Sequence, residues 1–279
     1  MIIKLRDKMF AHDDMFLKNT ESIQYSREAL QDKDIVMYTG YSFNDYYSRA
    51  AKHIVLFLES PEIENRGYNF VLHNIDKYDL ILTFSKKLLD LNNNKIRLNL
   101  YGTTWLHENY RQIYKKTKLC STITSTKKDY KGHYMRHIIC DLIEKNNLKV
   151  ELFGSRYNNL PQSKEPNPKS LTNGKINSLK DYMFSITIEN CKEDYYFTEK
   201  LIDCFLSGTI PIYWGCPSIG NFFNIKGILV FDSIPECLDI INNLSEEKYQ
   251  EMLPYIRENF ETAKTYCDFK INEESLSYL

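Results

Sequence analysis

The sequence predicts an α/β protein with two Rossmann-like halves, residues 1–115 and 116–279, facing each other across a ligand-binding cleft. Three observations carry this expectation. Short runs such as HIVLFL at 53–58 and DLILTF at 79–84 have the β-branched and aromatic density of buried strands. Segments of helical periodicity separate them, as parallel sheets covered by helices require. The basic run at 114–118 marks a break, after which the strand pattern restarts at Leu119.

Residues 1–33 are polar, reveal no first strand and predict a helix over 22–30, so the first half reads as shortened. A strand at 34–38, Gly40 and a helix over 42–52 follow. Strands are predicted at 53–58, 79–84 and 96–101, with a short helix after Ser85. Thr104 opens a helical pattern up to the break. After the strand 119–123 comes a long helix with two apolar rows, Tyr134, Ile138, Leu142 and Met135, Ile139, Ile143. Residues 150–153 read as a strand, and Pro161, Pro166, Pro168 and Gly174 make 155–177 a long surface loop. The strand 183–188 ends on Glu189 and Asn190. Thr198 then caps a helix through Leu206, Gly208 suits the position past its end, and 209–214 is the next strand. A strand at 228–231, a helix at 235–241 and one or two helices over 245–264 close the chain.

A composition of 43% hydrophobic and 26% charged residues supports a globular core and excludes disorder. A net charge of −1 gives no pull toward nucleic acid or acidic membranes. Seven scattered Cys without a C-x-x-C pair point to a reducing compartment and buried thiols. His133 and His137 share a helical face but lack the acidic partner of a zinc-enzyme pattern, so no metal site is expected. MIIKLRDKMF is broken by charge, unlike a signal peptide, and no run approaches the ~18 apolar residues of a membrane span. A cytosolic protein with no integral membrane segment is expected; its oligomeric state is not legible. Neither G-x-G-x-x-G nor a P-loop is present.

The polar residues Glu189, Asn190, Tyr196, Glu199 and Lys200 gather beyond one strand and around the start of the next helix. Ligands of open α/β sheets sit there, outside strand carboxyl ends and against helix N-termini. Lys200 adds charge to the positive end of the helix, which favours phosphate, while a carboxylate suits a ribose diol. By itself, Glu199–Lys200 also describes a solvated pair at a helix start.

Phe184-x-Ile186-x-Ile188-Glu189-Asn190, Tyr196-x-Thr198-Glu199-Lys200-Leu201-Ile202-Asp203, Gly208-Thr209-Ile210-Pro211-Ile212-Tyr213-Trp214-Gly215 and Pro217-Ser218-Ile219 together resemble the donor motif of α-1,3-fucosyltransferases. This is glycosyltransferase family 10, and the pattern is nearest its bacterial members. The resemblance implies a GT-B fold, an inverting mechanism, a GDP-sugar donor (typically GDP-fucose), a glycan acceptor and no obligatory metal or other cofactor. It implies that Glu199 holds the donor ribose and Lys200 the diphosphate, with Glu189, Asn190 and Tyr196 lining the donor site. Arg136 matches an arginine on the phosphates, with Lys127, Lys128 and Lys131 as alternatives. A Glu in an E-S-P context matches the general base; here that is Glu59, with Glu62 as the alternative. The same scaffold with another nucleotide sugar, or a non-catalytic nucleotide-sugar or glycan-binding module, fits the same motif. Heptad repeats, a basic tail and a membrane anchor known from some relatives are missing, which favours a microbial or viral enzyme. The acceptor is not legible.

Overall fold

A computed structural model describes residues 1–8, 17–159, 171–271, 273–277 and 279. It divides into two units. The first comprises Met1–Tyr101, Glu193–Tyr196 and Asp268–Leu279, and the second Gly102–Lys192 and Phe197–Cys267. Residues 102–115, expected with the first half, thus group with the second, and two later segments return to the first.

The first unit is a six-stranded parallel sheet of β1 (Ile2–Asp7), β2 (Gln24–Ser26), β3 (Ile35–Thr39), β4 (Lys52–Leu56), β5 (Leu80–Thr83) and β6 (Ile96–Leu98). Their order is β2-β1-β3-β4-β5-β6. Side chains alternate between its faces, as a period of two demands. Ile3, Leu5, Met37, Ile54 and Leu82 pack on one face with Phe269, Ile271 and Leu276. Val36, Tyr38, Val55 and Ile81 pack on the other with Tyr68 and Val71 of α1 (Asn65–Leu72). The short helix α2 (Lys86–Leu89) follows Ser85 as expected.

Three expectations for this unit are corrected. A first strand is present: Ile3 and Leu5 of β1 are buried, and the intervening charges that hid it lie on alternate positions, Lys4 pairing with Glu28 at 2.6 Å. Residues 22–30 are not a helix, because buried Ile23 and Tyr25 follow the two-residue period and β2 pairs with β1. The helix expected over 42–52 is absent: turns occupy the stretch up to residue 51, and Lys52 already opens β4. Gly40 (φ 41°) and Tyr41 (φ 62°) turn the chain through the left-handed region, and the Tyr47 N–H donates to the Tyr38 hydroxyl at 3.0 Å. The helix α1 had no counterpart in the sequence reading.

The second unit is a five-stranded parallel sheet of β7 (Lys118–Ile123), β8 (Glu151–Phe153), β9 (Tyr182–Ile188), β10 (Ile210–Trp214) and β11 (Leu229–Val230). Its order is β11-β10-β9-β7-β8. The helices are α3 (Lys131–Asn146), α4 (Leu171–Asn177), α5 (Glu199–Leu206), α6 (Ile234–Asn242) and α7 (Glu246–Lys264); α8 (Glu273–Leu276) belongs to the first unit. Only one expected row of α3 is core: Met135, Ile139 and Ile143 are buried, whereas Tyr134 and Ile138 are exposed. Residues 104–115 form a 3₁₀ turn at Glu108–Tyr110 instead of a helix, and the Thr104 hydroxyl is drawn to Asp203. The predicted loop 155–177 contains α4, and residues 160–170 of it lie outside the described residues.

In each sheet the strand order reverses once, between β1 and β3 and between β7 and β9. Such switch points are where open α/β sheets hold ligands. No helix among the described residues is long and apolar enough to cross a membrane. All seven cysteines are buried and unbridged.

Buried Lys116 fastens the entry to the second sheet. Its ammonium donates to the carbonyls of Leu179 (3.0 Å), Lys180 (3.2 Å) and Ser207 (2.7 Å) and to the Thr209 hydroxyl (2.9 Å). Burial pushes its pKa down to about 7, and these acceptors are what make a lysine tolerable there. Lys116→Met is expected to cost about 3 kcal/mol, because it leaves buried carbonyls without their donor. Urea unfolding measures this, and a loss below about 1 kcal/mol would contradict the assignment.

Candidate active site

The second sheet's switch point is built around the carboxyl end of β9. Two helices start there. Gly132, in the first turn of α3, donates its N–H to the Asn190 carbonyl at 2.9 Å. A Cβ at this glycine would lie 1.8 Å from the Glu189 carbonyl oxygen, so this approach is open only to glycine. The N-cap of α5 is Thr198, as its sequence position suggested.

Glu189 joins strand to helix. Its buried carboxylate accepts from the Thr198 N–H (2.9 Å) and the Thr198 hydroxyl (2.8 Å). Lys200 Nζ stands 3.4 Å from Glu189 Oε2, 3.3 Å from Glu199 Oε1 and 3.0 Å from Thr198 Oγ1. Burial by itself would raise the Glu199 carboxyl, but the Lys200 and Lys175 ammoniums outweigh it and hold the pKa at about 2. Glu199 is therefore ionised through the whole ordinary pH range. On the other side of the strand end, Arg136 donates through Nε (3.0 Å) and Nη2 (2.6 Å) to the Ile188 carbonyl, and through Nη2 to Asn190 Oδ1 (2.9 Å). Arg136 is buried, unlike the exposed alternatives Lys127, Lys128 and Lys131. Two helix N-termini, a guanidinium and an ammonium around one strand end can bind an anion.

Sequence reasoning missed Lys175 and Asp203. Asp203 is fully buried, 2.6 Å from Lys175 Nζ, and accepts from the Thr104 hydroxyl and the Trp105 N–H. Lys175 also donates to the Glu199 carbonyl at 3.3 Å, tying α4 to the start of α5. The acid inside the motif was a visible signal; its partners, distant in sequence, were not.

Tyr196 lies with the first unit and not with Glu189, Asn190, Arg136, Glu199 and Lys200. Its ring stacks on Phe84 with centroids 5.2 Å apart, and its hydroxyl donates to Glu59 Oε2 at 3.3 Å. Glu59 is half-buried just beyond β4, and its carbonyl accepts from Tyr68 at 3.0 Å. Glu62 is exposed. A third carboxylate, Glu64, was missed although it stands in the same ESPEIE run. It is 2% exposed, and its Oε1 accepts from the Tyr41 N–H at 2.9 Å. Burial pushes its pKa up to about 7; the Tyr41 N–H opposes this, and the charges of Glu59 and Asp7 add to it.

Two parallel-sheet α/β units, each with one switch point, are the fold of GT-B glycosyltransferases. Residues 113–248 match the family model "Glycosyltransferase family 10 (fucosyltransferase) C-term", which covers most of the second unit and the whole motif. The chain is 41% identical over 80 residues to alpha-(1,3)-fucosyltransferase FucT of Helicobacter pylori, 27% of this chain and 17% of that protein. It is 31% identical over 140 residues to alpha-(1,3)-fucosyltransferase B of Drosophila melanogaster, 46% of this chain and 28% of that protein. The matched stretches thus span less than a third of these relatives. A crystal structure of an alpha1,3-fucosyltransferase with GDP-fucose aligns with a TM-score of 0.56 at 20% identity, over 97% of this chain and 92% of that one. An alpha-glucosyltransferase in complex with UDP aligns at 0.53 and 13% identity, over 87% and 80%.

The Glu64 carboxyl makes stability depend on pH. A folded pKa raised from 4.5 to about 7 means a contribution that is full below about 4.5 and lost as pH rises through 7. Between pH 5 and 8 this amounts to up to about 3 kcal/mol. Urea unfolding across that range is expected to show the loss in the wild type and a flatter profile in Glu64→Gln; equal slopes would contradict it.

Proposed function

We propose that the chain is an inverting fucosyltransferase that moves fucose from GDP-fucose to a hydroxyl of a glycan acceptor, without an obligatory divalent ion. The observation that carries this reading is the pairing of Arg136 and Lys200 at the β9 end, where two helices begin. The family match over 113–248 and the similarity to a fucosyltransferase solved with GDP-fucose support it. The seven buried, unbridged thiols suit a cytosolic protein.

In this reading Glu59 takes the proton of the acceptor hydroxyl while that oxygen attacks the anomeric carbon of fucose. The bond from that carbon to the diphosphate oxygen breaks on the opposite face, and its electron pair leaves with GDP. Attack opposite the leaving group inverts the configuration. Arg136 and Lys200 stabilise the charge gathering on the departing diphosphate. Ionised Glu199 accepts hydrogen bonds from the ribose diol, and Asn190 lines the nucleotide site while holding Arg136. Glu189 acts through Thr198 and Lys200. Tyr196, bonded to Glu59 Oε2, orients the base.

Calorimetric titration with GDP-fucose, GDP-mannose, UDP-sugars and CMP-sugars tests the donor, with GDP-fucose expected to bind most tightly. Lys200→Ala and Arg136→Lys are each expected to weaken GDP binding at least about tenfold, a charge-assisted contact being worth ~1.5–3 kcal/mol. Unchanged affinity in both would remove the phosphate assignment. Glu59→Gln is expected to keep GDP-fucose affinity within about twofold while lowering kcat by about 10²–10⁴. A fully active Glu59→Gln enzyme would exclude Glu59 as the base and turn attention to Glu62 and Glu64.

A further inference from the structure

The chain leaves β3 through a turn that suits one of its two central residues and not the other. Thr39, Gly40, Tyr41 and Ser42 form it, the Ser42 N–H donating to the Thr39 carbonyl at 3.2 Å, and φ is 41° at Gly40 and 62° at Tyr41. Two positive φ angles are the pattern of a type I′ turn, whose central positions go to Gly, Asn and Asp because a larger side chain crowds the backbone there. Gly40 fits. Tyr41 is an outlier, since a bulky residue held in the left-handed region stores strain.

The bonds that hold this turn do not need the ring. Besides the closing bond, the Lys8 N–H donates to the Gly40 carbonyl at 3.1 Å and the Tyr41 N–H to Glu64 Oε1 at 2.9 Å, and a glycine or asparagine at 41 could donate equally well. Tyr41 is 52% exposed, and among the described residues its phenol enters no hydrogen bond, ion pair or ring contact. Neither burial nor bonding therefore offsets the strain, and strain kept without such a return belongs to functional positions.

Its place says what the ring meets. Tyr41 stands just beyond the carboxyl end of β3, one of the two strands at which the order of the first sheet reverses, where open α/β sheets hold ligands. Glu64, on which the Tyr41 N–H rests, donates its own N–H to the Ser60 carbonyl at 2.9 Å, and Glu59 directly precedes Ser60. The turn is thus tied, within one unit, to the loop that carries Glu59. The face of a phenol is apolar and electron-rich, and a pyranose that gathers its axial C–H bonds on one side matches it. A single exposed ring is far short of the ~800 Å² per partner of a stable protein interface.

We infer that Tyr41 is an acceptor-binding residue, on whose ring a hexopyranose of the acceptor stacks by its apolar C–H face. This rests on the transferase reading above, in which Glu59 receives the proton of the acceptor hydroxyl. Tyr41 binds the sugar and takes no part in proton transfer.

The test uses the full chain as wild type, Tyr41→Trp, Tyr41→Gly and Tyr41→Asn. Saturation-transfer NMR with the methyl β-glycosides of glucose and galactose and the methyl α-glycoside of mannose reads sugar binding without donor or turnover. At least one glycoside is expected to bind the wild type, with saturation concentrated on the C–H bonds of one ring face. Tyr41→Gly and Tyr41→Asn are each expected to weaken that binding at least about fivefold, and Tyr41→Trp to retain it. Thermal unfolding is expected to show Tyr41→Gly and Tyr41→Asn as stable as the wild type or up to about 2–4 °C more so, because both residues accept the left-handed backbone. A fall in Tm of that size in both would show that the ring serves the fold and would overturn the inference. So would binding of no glycoside, or binding untouched in Tyr41→Gly and Tyr41→Asn. Calorimetric titration with GDP-fucose keeps the two readings apart, its affinity being expected to stay within about twofold in every Tyr41 variant. Glycoside binding lost in Tyr41→Gly supports the stacking residue even if GDP-fucose does not bind, and absence of glycoside binding overturns it even if GDP-fucose binds tightly.

Discussion

The arrangement at the carboxyl end of β9 depends on a buried carboxylate. Glu189 stands at the end of a strand whose position is fixed by its neighbour, since its N–H donates to the Trp214 carbonyl at 2.9 Å. A carboxylate so buried is tolerable only with donors on its oxygens, and Thr198 supplies two while Lys200 supplies charge. The same bonds define where α5 begins and where the Lys200 ammonium rests. Position, charge and helix start are thus one arrangement, and the ionised state of Glu199 follows from it.

Cations reach this arrangement from three elements. Lys200 comes with α5, Arg136 with α3 and Lys175 with α4. The last is held by Asp203, which also gathers the chain at Thr104 and Trp105. A residue in the middle of the motif thereby fixes segments about a hundred positions away in the chain. Its burial makes the role structural: it orders the groups around Glu199 without facing the space beyond the strand end.

The strands with uninterrupted apolar runs, such as β4, β5 and β9, were legible because both of their faces are buried. So was the Thr198 cap, which depends on a local hydrogen bond. β1 was not legible, because Lys4 and Arg6 alternate with Ile3 and Leu5 and imitate a polar segment. The turns after β3 were mistaken for a helix because the bond between Tyr47 and Tyr38 that holds them is tertiary. At the site, the residue types around Glu189 and Glu199 were readable from the motif. What could not be read was which unit each would join. Tyr196 is four residues from Lys200, yet it stacks on Phe84. Glu64, only five residues from Glu59, differs from it by a burial that no local pattern announces.

The make-up of the first unit has a bearing on biosynthesis. One face of its sheet packs Ile3 and Leu5 against Phe269, Ile271 and Leu276, so its core draws on both ends of the chain. Domains ordinarily fold in the order in which they leave the ribosome, the N-terminal one first. Here the second unit has all of its own residues once Cys267 has emerged, while the first still lacks the apolar side chains that cover its sheet. The unit that is synthesised first can therefore be the last to close its core, and until then one face of a parallel sheet stays open to solvent and to chaperones.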